Sequence, residues 1–327
     1  MTSFAGPYRP TSIHDVLNSL PAMFGYRPRE SVVLLDAEAR PGCGFAMRLD
    51  LPTTAPDRLD LGMQVTRHLV TNRVDRVMVV CLSEDPAVAE ELVWALDGLF
   101  GARLDLGIWA TDRQWWLAGP EPVQTGEWFP DDHHPAIVAA IAHGRVVVRD
   151  RDDLYRDFDA ETGPRRAALD QAATGVLVDC STLHATRGDA VAAEDVTALL
   201  LAAIDHEVDD VALLRLAAWT RFGAGRDAVW DLLTSANARR LLEVWTNVAR
   251  AAPTPLRGGA LAVAALCAWR VGDGTRCQIA AELALAAHPG HPLALVIVDL
   301  LGAGLGPEHH ERFMQARRTG AQEPTEP

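Results

Sequence analysis

The sequence predicts an α/β domain with a mixed (α+β) sheet, followed by an all-helical domain of paired, tetratricopeptide-like helices. Three observations carry this prediction. Strand-like apolar runs alternate with helix-like segments, but only up to about residue 150. At least two of the early connections are hairpin-like, which requires antiparallel neighbours beside any parallel pair. Beyond that point no persuasive strand appears, and leucine- and alanine-rich stretches with helical spacing take over. A chain of 327 residues fits two cores better than one. The expected division is a tail at 1–11, the α/β domain at 12–158, the helical domain at 159–318 and a disordered tail at 319–327.

In order, Ser12 with Asp15 three residues on resembles a capping box and predicts a short helix over Ile13–Leu20, stopped by Pro21. Phe24-Gly25-Tyr26-Arg27-Pro28 reads as a turn, because glycine permits unusual dihedrals and Pro28 pushes Arg27 out of the helical region. Ser31–Leu35 is a continuous apolar, β-branched run, hence a buried strand. Pro41 and Gly42 mark a reversal, and Gly44–Asp50 alternates with Phe45, Met47 and Leu49 on one face. These two strands form the simplest hairpin. A helix over 56–72 is expected to bury Leu59, Met63, Thr66 and Val70, and Val74–Leu82 is a second buried strand. Asp85-Pro86 starts a helix with Val88, Leu92, Leu96 and Leu99 in one stripe, closed by Gly101. Leu104–Ala110 and Gln114–Leu117 are strands about a turn. A proline- and acid-rich loop at 119–134, a helix at 135–143 and a short strand at 145–148 complete the domain. Helices are then expected at 164–180, 191–206, 208–222, 226–235, 237–251, 257–271, 274–288, 292–301 and 307–317. The Gly-Asp-Gly at 272–274 and the proline after His288 give a spacing that resembles a degenerate tetratricopeptide pair.

Composition excludes several chemistries. The net charge is −14, and the pI about 5.2, which disfavours nucleic acid or an anionic membrane as partner. All 30 basic residues are arginine, so neither a Schiff base nor a P-loop lysine is available. The five cysteines, at 43, 81, 180, 267 and 277, form no C-x-x-C and read as free thiols of a reducing cytoplasm. No basic segment followed by an apolar run opens the chain, and no apolar run reaches membrane-spanning length, so neither a signal peptide nor a transmembrane helix is expected.

Several short stretches together resemble a known family. They are Pro21, Phe24-Gly25-Tyr26-Arg27-Pro28, Ser31-Val32-Val33-Leu34 and Arg48-Leu49-Asp50-Leu51-Pro52. To these add Asp112-Arg113-Gln114-Trp115-Trp116, His143-Gly144, Arg151-Asp152-Asp153-Leu154, Ala268-Trp269-Arg270 with Gly272-Asp273-Gly274, and Pro289-Gly290-His291. In this set the chain resembles an actinobacterial family catalogued as domain of unknown function 4192. The resemblance spans nearly the whole chain and implies a fold and a cytoplasmic setting, but no activity. Members commonly carry a cysteine cluster after the Trp-Trp turn. Here Leu117–Trp128 holds none, so no role of that cluster can operate at this position.

The candidate ligand-binding residues are Arg27, Glu30, Arg48, Asp50, Trp115 and Trp116. If 31–36 and 44–50 pair antiparallel, Arg27, Arg29 and Glu30 share an edge with Arg48 and Asp50. The arginines would suit an anionic ligand, with Asp50 as base or anchor. The competing reading is an ion-pair network at a sheet edge. Strand neighbours Trp115 and Trp116 face opposite sides, so at most one is core and the other could stack on a ligand. Asp131-Asp132-His133-His134 and His309-His310 lack distant co-ligands, and no metal or other cofactor is expected. Cys180 has His184 four residues on but no third group, and the glycines at 223–225 and 302–306 are helix-end residues. The leading functional expectation is a non-catalytic scaffold whose helical domain holds a protein segment. The alternative is an enzyme or small-ligand sensor using the hairpin edge.

Overall fold

The computed structural model describes residues 10–38, 45–119 and 123–307. They fall into two units. One runs through Asp153 and includes Ala303–Leu305; the other runs from Leu154 to Gly302. Cys43, residues 39–42 of the expected reversal, His309-His310, the rest of the helix expected from 307 and most of both tails lie outside the described residues.

The first unit is built on a six-stranded mixed sheet of order β2-β1-β3-β4-β5-β6. The strands are β1 (Ser31–Asp36), β2 (Ala46–Asp50), β3 (Val77–Leu82), β4 (Leu104–Ala110), β5 (Gln114–Leu117) and β6 (Gln124–Glu127). β1 and β2 form the expected antiparallel pair, with Ser31 opposite Asp50 and Val33 opposite Arg48. β3 is antiparallel to β1 and parallel to β4. Helix α2 (Ala55–Thr71) therefore crosses from β2 over β1 to β3, and α3 (Pro86–Phe100) crosses from β3 to β4. Both crossovers return against the strand direction, so α2 and α3 run the same way on one face. There Val32, Leu34, Val79, Cys81 and Trp109 of the sheet form one core with Leu61, Val65 and Leu69 of α2 and Leu92, Val93 and Leu96 of α3. The strand residues of opposite parity, Val33, Val80 and Ile108, are also fully buried. Helices α1 (Ile13–Phe24) and α4 (Pro135–Ala142) pack together through Ala22, Ala136, Ile137 and Ala140.

Several expectations are corrected here. Helix α1 continues through Pro21 to a left-handed Gly25 cap (φ 80°), whose N–H donates to the Pro21 carbonyl. A proline in the last turn forfeits one hydrogen bond, and burial of Ala22, Met23 and Phe24 outweighs that loss. Helix α2 buries Leu61, Val65, His68 and Leu69 and leaves Leu59, Met63 and Val70 exposed, the reverse of the predicted stripe. In α3 Leu92 and Leu96 are buried as expected, but Ala89, Val93 and Phe100 complete the stripe and Leu99 faces out. β3 starts at Val77, because Arg73 takes a left-handed φ of 53° and Val74 still bonds back to Leu69. The 119–134 loop contains the polar edge strand β6. The 145–148 strand reduces to one bridge between Tyr26 and Val148.

The second unit is helical: α6 (Gly163–Arg187), α7 (Asp189–Asp205), α8 (Asp210–Trp219), α9 (Gly223–Leu232), α10 (Ala238–Ala251), α11 (Thr254–Val271), α12 (Gly274–Ala287) and α13 (Pro292–Gly302). It begins ahead of the predicted boundary at 159. Its first residues, Leu154 and Tyr155 at the end of helix α5 (Arg151–Tyr155) and the turn after it, are anchored by buried Leu154 and Phe158, by Tyr155 O–H donating to Glu282, and by Arg276 donating to Asp157. Packing is interleaved at first, α6 with α8 and α7 with α9. It then becomes consecutive from α10 to α13. Gly272, left-handed at φ 77°, ends α11, and the Asp273 carboxylate caps α12 through the Arg276 N–H at 3.0 Å. Asp195 accepts from the buried Trp219 indole at 2.6 Å and from Arg215 at 2.5 Å, which satisfies three polar groups in one cluster.

An arginine-lined cleft as candidate functional site

β3 and β4 end side by side at Leu82 and Ala110. The carboxyl ends of parallel strands are where an α/β sheet leaves a crevice, since the chain departs there into separate crossovers. The start of β1 reaches the same place, because Ser31 pairs with Leu82. Glu30 precedes it with a left-handed φ of 40°. Its carboxylate accepts from the Ser83 hydroxyl at 2.9 Å and the Glu84 N–H at 2.7 Å, and so fixes the turn from β3 into α3.

Arg27 is set by the turn that follows α1. Its N–H donates to the Arg149 carbonyl at 3.3 Å. Its side chain is 12% exposed, and Nη2 donates to Asp132 Oδ1 at 2.9 Å. Nη1 is buried and has no hydrogen-bond partner among the described residues. Beside it lies a cavity of about 640 Å³, in which Arg27, Arg29, Arg113 and Arg149 face Asp112 and Asp132. Four cations against two anions leave a positive surplus, inside a chain of net charge −14. Phe129, Ile137, Ile141 and Val147 supply an apolar wall. A smaller cavity of about 100 Å³ shares Arg27, Arg29 and Asp112 and reaches Glu30, Ser83 and Thr111.

The six sequence-predicted residues are not gathered in one place. Arg27 lines both cavities, and Glu30 lines only the smaller one. Arg48 and Asp50 instead pair with each other at 2.5 Å, and Arg48 Nε donates to Ser31 Oγ at 2.7 Å. Nearby, burial pushes the Tyr26 hydroxyl above its usual pKa against the opposing pull of Arg48. Trp116 stacks on Trp109, with centroids 6.2 Å apart and planes 7° from parallel, against the α2/α3 core. Trp115 lies against Gly126, where an added Cβ would stand 2.7 Å from its ring. Neither tryptophan lines the cleft. Sequence reasoning passed over Arg113, Arg149 and Phe129 as site residues. Arg113 had a readable signal, since the turn that follows a parallel strand is where a crevice opens.

The other candidates are accounted for. Cys81 and Cys267 are fully buried, which pushes both thiols far up. Cys180 is raised to about 11, and His184 bonds Asp189 at 2.8 Å. Asp131 accepts from the His133 N–H and Asp132 pairs with Arg27. Among the described residues no group of three or more His, Cys, Asp or Glu side chains could hold a metal ion, and no described helix is long and apolar enough to cross a membrane.

The family model described as "Domain of unknown function (DUF4192)" matches residues 14–308, and the chain belongs to that family. No curated protein and no solved structure matches it.

Proposed function

We propose that this member of the family is a cytoplasmic ligand-binding protein, which takes a small anion bearing a phosphate or carboxylate group into the arginine-lined cleft of its α/β unit. One observation carries the reading: the buried Nη1 of Arg27, unpartnered among the described residues, beside a cavity of about 640 Å³. A guanidinium presents its donors as a planar fork suited to two oxygens of one anion. Here one prong holds Asp132 and the other is unfilled, and an unfilled buried donor costs about 1–3 kcal/mol. The surplus of positive charge supports the same reading, because a cleft of one sign concentrates counter-ions of the other. Arg48 and Asp50, satisfied by each other, contribute structure and not binding.

The test is a thermal-shift screen of pyrophosphate, nucleotides and di- and tricarboxylates against neutral analogues. A ligand at about 100 times its Kd stabilises by about 2.7 kcal/mol, and that is a shift of several degrees in Tm. The shift is expected with anions only and is lost in Arg27→Met. An equal shift in Arg27→Met, or none with any anion, rejects the proposal.

A second reading, partner binding by the helical unit, is favoured by the outer face of α13, where Leu295, Val296 and Val298 are exposed. Its test is whether Val296→Glu abolishes a helix-mediated interaction while the unit stays folded.

A further inference from the structure

Helix α2 has two apolar stripes, and α3 has one buried stripe with Leu99 and Trp94 outside it. The buried stripe of each builds the core. Away from that core Leu59 is 67%, Val70 63% and Leu99 52% exposed, and Met63 and Trp94 are exposed as well. This face is not flat. Between the helices runs a groove of about 590 Å³, with Gly62 and Ala95 in its lining and Leu59, Met63 and Leu99 standing along it. The face thus carries both large side chains and a groove of matching kind, the requirement for a surface that packs against itself.

We propose that α2 and α3 form an isologous interface with a second copy of this chain, α2 of one protomer lying over α3 of the other. Charge selects this pairing. The charged residues lining the groove are Arg58 and Arg67, both on α2. α3 carries Glu90, Glu91 and Asp97 and no cation, all three outside the groove lining, as are the two acids of α2, Asp57 and Asp60. A two-fold axis across the helices would stack α2 on α2 and bring Arg58 against Arg67 of the other copy, a like-charge contact. An axis along the helices stacks α2 on α3 in the same direction. It then sets Arg58, the fourth residue of α2, near Glu90, the fifth of α3, and Arg67, the thirteenth, near Asp97, the twelfth. Within one chain Arg58 already pairs with Glu91, so the basic and acidic rims meet at that end of the groove. The same arrangement lays Leu59, Met63 and Val70 along α3 of the other copy, over Trp94, Ala95 and Gly98. An added Cβ at Gly98 would meet nothing within 4 Å, which leaves room for a facing side chain.

The test is the mass in solution of the full chain, by light scattering on size exclusion at tens of micromolar. A dimer of about 71 kDa is expected, twice the 35.4 kDa chain. Leu59→Glu and Leu99→Glu, both at exposed positions, are expected to give monomers with unchanged circular dichroism. Arg67→Glu is expected to weaken association at least tenfold, and adding Asp97→Arg to restore it. A wild-type monomer overturns the proposal and leaves the face to the chain's own residues beyond 307 or to an unrelated protein. A dimer that survives Leu99→Glu overturns it as well, as does a double variant no tighter than Arg67→Glu alone.

Discussion

Arg27 and Arg48 flank the same β1/β2 hairpin, yet their guanidinium groups stand in different situations. Arg48 donates to Ser31 and pairs with Asp50, leaving no polar debt. Arg27 holds the exposed Asp132 with one nitrogen and leaves the other buried beside a cavity, unpartnered among the described residues. His68 extends the comparison. Its ring nitrogens are also buried without partners among the described residues, but the ring is sealed in, since a Cβ at Gly304 would come within 2.1 Å of it. An unfilled donor at a cavity wall can be reached by an acceptor from outside the chain. An unfilled imidazole in a sealed core simply stays neutral.

That difference can be attacked in order of expected effect. The largest effect concerns the buried histidines. Burial first, then Arg226 and His288, lowers His291 to about 4, and burial likewise lowers His68. Each takes up its proton more readily in the unfolded chain, so stability is full above pH 6.5 and falls as the pH drops from there towards 4. His291, with the larger downward shift, contributes most of the loss over that window. Urea midpoints between pH 8 and 4 measure it, and a flat profile means that these rings are not held neutral. Next, Gly126→Ala should cost about 2 kcal/mol, because the new methyl overlaps the Trp115 ring. A neutral result in a urea melt would mean that Trp115 is loosely held and free to serve a ligand. Arg48→Met should cost about 1 kcal/mol with anion binding intact, whereas Arg27→Met should leave stability within about 0.5 kcal/mol. The smallest effect separates strain from contact at Glu30. Glu30→Gly should be more stable than Glu30→Ala by about 1 kcal/mol, since both lose the bonds to Ser83 and Glu84 but only glycine accepts φ 40° freely. Equal chemical melts would show that the left-handed backbone there stores nothing.

The sequence made much of this fold legible, because local signals and tertiary needs agree in it. The Val32–Leu35 run is core, Asp85 caps α3, and Gly272 with Asp273 divides α11 from α12. It failed where one pattern permitted two answers. In α2 the sets Leu59, Met63, Val70 and Leu61, Val65, Leu69 both recur at helical spacing, and periodicity cannot say which one meets the sheet. The edge strand β6, Gln-Thr-Gly-Glu, has no apolar alternation to betray it. Half of the site was hidden for another reason. That Arg27 shares an edge with the hairpin follows from strand pairing, but Arg113 and Arg149 join it only through the parallel β3/β4 pair and the Tyr26–Val148 bridge. Nor does sequence reveal which arginine is already spent: Arg48 and Arg27 look alike until their hydrogen bonds are counted.

The most direct test of the binding account is therefore calorimetric titration of the best anion from the screen into three proteins: wild type, Arg48→Met and Arg27→Met. The account predicts equal affinity in wild type and Arg48→Met, and a loss of at least about 30-fold in Arg27→Met, the equivalent of about 2 kcal/mol. Binding that survives Arg27→Met, or that is lost in Arg48→Met instead, would contradict it.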